Sequence, residues 1–436
     1  MPTRRSFLAA SLAIAVAPSA RAAIVGADLL PANGDRTDEF RAALARAVAE
    51  KRPFVLAPGT YRIGPMDLPD GTRIHGTAGS TTLVAASDGT FLTARNARRI
   101  ELSGLAFDGQ NRKVGSWGSV LAFADVAEVR LVDCVVGRGS DIGVLLDRCG
   151  GRIEKCTIAS IAAHGILARD GKGLVITDNT VVDCGNGGIL VHRSTPGEDG
   201  SVVRANRVER IRADSGGTGQ VGNGINLHRA HGVAILDNRV TDCAFSGIRV
   251  NGGSNVRIVA NEVSRSGETA LYVEFEFQGA VVANNVIDGA VNGISVVNSE
   301  QGGRLATVTG NVVRNLRRTT SSDPDTPAFG LAVEADTTVT GNVIEGAPHF
   351  GMMIGWGEHL RNVVVTGNVV RDAGTGIAVS ADERSGATVI TSNVFQATKK
   401  GAIVGYRWTK PATGDLVRGG GEVPKHLTIE ANRSIP

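Results

Sequence analysis

An aliphatic–x–x–Asn–x–aliphatic signature recurs thirteen times along this chain, and a repeat of that kind leaves few folds open. Its anchor falls on Leu105, Cys134, Cys156, Asn179, Asn206, Asn238, Asn261, Asn284, Asn311, Asn342, Asn368, Asn393 and Asn432, ten of the thirteen being Asn. Three residues before each anchor stands Leu, Ile or Val, from Leu102 to Ile429. Two residues after it, every position but Ser434 is aliphatic or Phe. Several spacings are 22 or 23 residues, and the longer ones read as insertions into one basic coil. Repeats of that length mean a solenoid. The Leu framework of leucine-rich repeats and the helical period of α-solenoids are both missing.

A second column fixes the register. Nine residues after most anchors comes a Gly with aliphatics one and three places on: Gly143, Gly165, Gly188, Gly224, Gly247, Ala270, Gly293, Gly330 and Gly351, with the last two coils at eight, Gly376 and Gly401. Pairs such as Ile225/Leu227 and Ile377/Val379 alternate with the period of a strand. Each coil then carries three short strands, one before the anchor, one after it and one after the Gly. Stacked about 4.8 Å apart, every strand pairs with its copies above and below. A ladder of Asn amides, able to donate and accept, satisfies the turn backbone, and Asn tolerates the left-handed conformation of a tight bend. The expected fold is all-β, a right-handed single-stranded parallel β-helix of about 13 coils.

A solenoid core grows in one dimension, so 436 residues need not mean several domains. Gly 57 and aromatic 4% suit a narrow core with many turns. The chain opens with a twin-Arg motif, Arg4-Arg5-Ser6-Phe7-Leu8, then a short apolar run to Val16 and an Ala20-x-Ala22 box. That run is too short to span a bilayer and reads as a cleaved signal, with residues 23–436 as the β-helix domain. The expected location is periplasmic or secreted, with the twin-Arg export machinery as the precursor's partner. Residues 1–22 hold three Arg and no acid, so the formal charge of +3 falls to 43 − 43 = 0 on cleavage. A nucleic-acid partner and a membrane span are not expected. The five Cys lack metal spacing, and Cys134 and Cys156 take anchor positions, as small buried residues do.

Residues 24–100 form the N-terminal cap and first coils. Thr37 or Asp38 is placed to cap a helix from Glu39 to about Lys51, with Phe40, Leu44 and Ala47/Val48 on one stripe. Such a helix covers the open solenoid end.

The segment NGDRTDEFRAALARA followed by PFVLAPGTYRIGPMDLPDGTRIHG, with repeats of the form VTGNVV and GIxV, resembles the pectate-lyase-like superfamily. More narrowly, the twin-Arg signal on this repeat is similar to a family of exported bacterial repeat proteins of unassigned function. The resemblance implies the β-helix fold and a setting of polysaccharide lyases, epimerases, hydrolases and non-catalytic surface proteins, among which fold does not choose. The dense Asp cluster by which pectate lyases hold calcium and the Asp-Pro-His-Asp run of epimerases are both missing from this chain.

Positions two and four after the Gly point outward. In three successive coils they are Asn226/His228, Arg249/Asn251 and Tyr272/Glu274, with His192 one coil below, Glu276 at the margin and Glu334 two coils above Glu274. The turn from anchor to Gly is stretched twice, at Arg210–Gly222 and Asn315–Ala328, and shorter insertions at Ser194–Ser201 and Asn298–Gly303 leave the opposite edge. Long loops on a rigid scaffold carry function. The expected site is a trough for a polysaccharide, an acidic one among the candidates. Solvated ladders of polar side chains are the plainer reading of the same columns.

Two chemistries compete there. An eliminase or epimerase uses Arg249 on the sugar carboxylate, His228 or Tyr272 as base and Glu274 to orient it. A glycosidase uses Glu274 and Glu334 as its carboxylate pair. His192, Asn226, Asn251, Glu276, Glu334 and Trp356 are the expected substrate contacts. A metal held by His192, His228 and Glu274 is the weaker alternative, because Glu274 lies two coils beyond His228. The sequence names no metal or organic cofactor. The rival to an enzyme is an envelope binding or scaffold protein whose loops recognise a partner.

Overall fold

The computed structural model describes residues 29–115, 118–217, 219–318 and 327–435. The export signal read in residues 1–22 lies outside them. Among the described residues no helix is long and apolar enough to cross a membrane.

Each coil contributes three strands, and each strand pairs in parallel with its copies in the coils on either side. On the face leading into the anchor, Gly151–Glu154 pairs with Val175–Thr177 and that with Val202–Arg204. On the face leaving it, Thr157–Ile161 pairs with Thr180–Cys184 and that with Arg207–Ile211. On the glycine face, His164–Arg169 pairs with Gly187–Glu198 and that with Asn223–His231. The described strands join in one 42-stranded sheet, wound into about 14 turns. Inward residues stack into apolar ladders, Ile153, Ile176, Val203 and Ile235 among them, all without solvent contact. With no sheet edge along its length, the solenoid needs covering only at its two ends.

The Asn ladder is built as expected, with one residue displaced. Asn206 Oδ1 accepts both the backbone N–H and the Nδ2–H of Asn179, each at 3.0 Å, and its own Nδ2 donates to the Ile176 carbonyl one coil back. The same set repeats through Asn238, Asn261, Asn311, Asn342, Asn368 and Asn393. Between Asn261 and Asn311 the ladder residue is Asn285, fully buried, and not Asn284, which is exposed. The reason lies in the bend. The residue before each ladder Asn takes the left-handed conformation, as Asp178 (φ 57°), Asp237 (φ 55°), Ala260 (φ 59°) and Asn284 (φ 55°) do. Left-handed tolerance therefore belongs to the neighbour, and the ladder Asn serves by its amide. Cys134 and Cys156 fill the two ladder places before Asn179 with buried free thiols, each within reach of two backbone carbonyls, Leu102 and Val132 for the first and Leu131 and Glu154 for the second.

Close approach explains the glycine column. A Cβ on Gly188 would lie 2.3 Å from the Gly224 oxygen and 2.6 Å from Val208 Cγ1. The last member is Ala402 rather than Gly401, since the Ala402 carbonyl is the one facing Gly376. At the N-terminal end the helix runs Thr37–Ala49, starting two residues before the expected Glu39, and Asp35 Oδ1 accepts the Thr37 N–H at 2.9 Å. Phe40, Leu44 and Ala47 are buried, with Phe40 edge-on to Phe54 at 5.0 Å. At the other end, an antiparallel strand Lys410–Asp415 pairs with the last glycine-face strand, Ile403–Arg407, and ends the parallel stack.

Candidate functional site

The two outward columns of the glycine face are in the expected register. Leu190, Asn226, Arg249 and Tyr272 follow one another in one column, and His192, His228, Asn251 and Glu274 in the next. Their exposure differs from expectation. Asn226 is 4% exposed, Arg249 8%, Glu274 1% and Glu334 8%, so the patch is covered and not a solvated face.

Over Arg249 the cover is the first long turn. Asn223 Nδ2 donates to the Gly219 carbonyl at 2.8 Å, and Asn186 holds Ser215 through its side-chain oxygen and nitrogen, both at 2.8 Å. Gly219 lies so close over Arg249 that a Cβ there would sit 3.1 Å from Nη1 and Nη2; its φ of 83° also favours glycine. In the second long turn, residues 319–326 lie outside the described residues, so the bracketing of the patch from that side is untouched by the structure.

Under the first turn is a cavity of about 540 Å³. Leu167 and Leu190 are its floor, joined by Ile142 and Leu145 in a small apolar cluster apart from the main core. His164, His192, His228, Asn226, Arg249 and Asn251 form its walls, and Gly219, Gln220 and Val221 its lid. Gly187 packs against two of these lining residues: a Cβ there would lie 2.8 Å from His164 Nδ1 and 2.7 Å from Leu190 Cδ1. Three buried polar atoms around the patch, His164 Nδ1, His192 Nε2 and Asn226 Oδ1, have no hydrogen-bond partner among the described residues. Orphaned polar atoms on the wall of a cavity call for a polar occupant.

Burial holds the His164 and His192 imidazoles down to about 4 and about 3, and it lowers His228 as well, helped by Arg229. His192 and His228 meet edge-on at 5.7 Å. All three rings are therefore neutral at pH 7. The unfolded chain protonates His164 and His192 near pH 6.5 while the folded chain does not until about 4 or below. Stability is therefore highest above pH 6.5 and falls as the pH drops toward 4, by roughly 3 kcal/mol for each of the two rings. Denaturant midpoints measured across that range check this, and a flat profile from pH 6.5 to 4 would contradict the buried histidines.

Next to the cavity, Arg249 is committed to Glu274. Its Nε and Nη2 both reach Glu274 Oε1 at 2.6 Å, Asn251 Nδ2 donates to the same oxygen at 3.0 Å, and the guanidinium carbon stands 5.0 Å from the Tyr272 ring centre. Glu274 is thus the counter-ion of Arg249 and does not orient His228, which is the first correction to the expected roles. Tyr272 is unsuited to act as a base, because burial, reinforced by the Glu274 charge, drives its phenol up. Glu334 accepts from the Ser299 N–H at 2.7 Å, and burial pushes its carboxyl up. Val297 stands between it and Glu274 in the column, so the two carboxylates are two coils apart, in the expected register. With Glu274 turned to Arg249, the His192–His228–Glu274 metal set is not assembled. Glu276 is exposed at the margin. Trp356 follows Gly355, one coil above Glu334, does not line the cavity, and packs edge-on to Trp408 at 5.6 Å.

Sequence reasoning missed three residues. His164 sits one place before the Gly, outside the two columns that were followed. Gly187 lets the chain pass close to His164 and Leu190, and its signal is the doubled Gly187-Gly188. Glu268, half-buried, is held up by burial against the opposing Arg249 charge, and its Oε2 has no partner among the described residues.

The model for the "Right handed beta helix region" family matches residues 142–313, less than half of the chain. The fold is a right-handed parallel β-helix. Comparison with curated protein sequences gives no match. Among solved structures, the β-helix is similar to a PL6 alginate lyase in complex with a trisaccharide, at 11% identity over 94% of this chain and 95% of that one, with a TM-score of 0.51. It is also similar to PfbA, a surface adhesin of Streptococcus pneumoniae, at 13% identity over 88% and 92%, TM-score 0.43. The N-terminal fragment of bacteriophage phi29 gene product 12 aligns at 12% identity over 90% of this chain, TM-score 0.44, and this chain spans 63% of it. At such identities the likeness is one of fold.

Proposed function

We propose that this protein is an exported glycan-binding β-helix that holds a sugar in the cavity under residues 219–221. One observation carries the reading: an apolar floor of Leu167 and Leu190 faces buried amide and imidazole atoms that lack partners. A pyranose has that same division, with C–H groups on its faces and hydroxyls at its rim. The volume falls within the range of small-molecule sites. Arg249, already neutralised by Glu274, supports the wall and offers its remaining N–H groups as donors. The alginate lyase of the same fold makes an alginate trisaccharide the natural first probe.

Calorimetric titration with alginate, polygalacturonate and neutral glucan trisaccharides tests it. Asn226→Leu, which keeps the volume and removes the amide, should weaken the bound sugar at least tenfold, about 1.4 kcal/mol, with the melting temperature nearly unchanged. Wild-type affinity in that variant would remove the cavity from the account.

A second reading is favoured by His228, a neutral imidazole on the cavity wall and half open to it. It is placed to accept a proton from a bound uronate. His228→Asn should then abolish release of unsaturated product and keep binding. A wild-type protein that binds oligomers and yields neither unsaturated product nor new reducing ends is a binding protein only.

Export rests on Arg4 and Arg5. Changing both to Lys should leave precursor in the cytoplasm with its signal attached. Normal processing of that double variant would point to the general secretory route.

A further inference from the structure

The C-terminal end carries a feature that neither core closure nor the cavity accounts for. Leu416 and Leu427 close the core, with Val417 and Ile429 packed against it. Outside them the hairpin of Ile403–Arg407 and Lys410–Asp415 pairs Arg407 with Lys410 across its tip. Trp408 stands at that tip with φ 55° and is 43% exposed. Tight hairpin turns place Gly, Asn or Asp at a left-handed position, and a bulky residue there is a true outlier of the kind that gathers at functional sites. A cap has no need of it.

One side of the indole is fixed. It rests on Gly357, where a Cβ would come within 2.4 Å of the ring, and meets Trp356 edge-on at 5.6 Å. Trp408 also lines a cleft of about 1040 Å³ between the hairpin and residues 422–426. Arg407 on its wall is paired with Glu383 at 2.9 Å. Lys410 and Lys425 are exposed there with Glu422 as the remaining acid, which leaves cationic charge in excess.

We propose that this cleft is a second subsite, which takes an anionic sugar of the same glycan chain. The indole receives the C–H face of a ring, and Lys410 and Lys425 receive its carboxylate or sulfate. The inference rests on the glycan reading of the cavity and adds the substrate class, an acidic polymer. The column of His228 runs through Asn251, Glu274, Glu334 and Ser380 to Tyr406, and the next residue, Arg407, is on the wall of the cleft. Seven coil steps at the spacing of paired strands make about 34 Å. A polymer lying along the glycine face reaches both sites, and the second contact raises avidity without altering the first.

The test compares long polymannuronate, its trisaccharide and a long neutral glucan on the mature protein. Wild type should bind the long acidic chain at least tenfold more tightly than the trisaccharide. Trp408→Ala should reduce the long chain to the trisaccharide's affinity and leave the trisaccharide unchanged. The double variant Lys410→Glu/Lys425→Glu, which removes no packing, should do the same. Wild-type affinity for the long chain in the double variant, or equal binding of the neutral glucan by wild type, overturns the subsite and leaves the cavity standing. Wild-type protein that binds none of the three overturns both.

Discussion

Glu274→Ala should destabilise the protein by about 3–5 kcal/mol, because it leaves the Arg249 guanidinium buried without its counter-ion. The two side chains are 10% and 2% exposed, and both guanidinium contacts fall on one carboxylate oxygen that also accepts from Asn251. Arg249→Ala should cost a comparable amount by stranding the carboxylate. Outward direction on the strand therefore does not make Arg249 dispensable for folding. The double variant Arg249→Met/Glu274→Leu should recover most of the loss, since an apolar pair of similar volume replaces a desolvated one. Urea denaturation of the three variants decides it. Losses below about 1 kcal/mol in both single variants are what an exposed pair would give, and would mean that the 219–221 lid does not cover this face.

The second large effect separates two adjacent asparagines. Asn285 Oδ1 accepts from the Asn261 N–H and Nδ2–H at 2.9 and 3.0 Å, while its Nδ2 donates to the Ile258 carbonyl and Asn311 Oδ1, each at 2.9 Å. Asn285→Ala orphans buried groups in the coils on both sides. At about 1–3 kcal/mol for each group left unpaired, a loss of roughly 3 kcal/mol or more is expected. Asn284→Gly touches none of these bonds and relieves a left-handed residue, so its midpoint should stay level or rise slightly. Thermal melts of the pair measure this directly. A larger loss at Asn284 than at Asn285 would shift the ladder by one residue and undo the register of that coil.

That pair also shows what the repeat could and could not reveal. Periodicity of apolar residues is a one-dimensional property, so the three-strand coil, the column order of the glycine face and the covered N-terminal end all follow from it. Adjacent residues that satisfy the same template, Asn284 with Asn285 and Gly401 with Ala402, are separated only by backbone conformation and close approach. The site was legible as two columns of side chains, because strand register places His192, His228, Asn226, Arg249, Asn251, Tyr272 and Glu274 together. Its enclosure was not. Whether the turn 212–222 stands away from the face or lies on it depends on bonds from Asn186 and Asn223, residues that read as ordinary strand-edge polars. The choice of Arg249 for Glu274 is likewise a matter of side-chain reach that spacing alone leaves open.

The central claim is that the glycan sits beneath that turn. Hydrogen–deuterium exchange of the mature protein, with and without saturating alginate or polygalacturonate oligomers, locates the contact without relying on any variant. Slowed exchange confined to residues 219–228, 249–251 and the strands beneath them, His164–Arg169 and Gly187–His192, is the predicted result. Binding accompanied by protection elsewhere, with residues 219–228 exchanging as in the free protein, would contradict it.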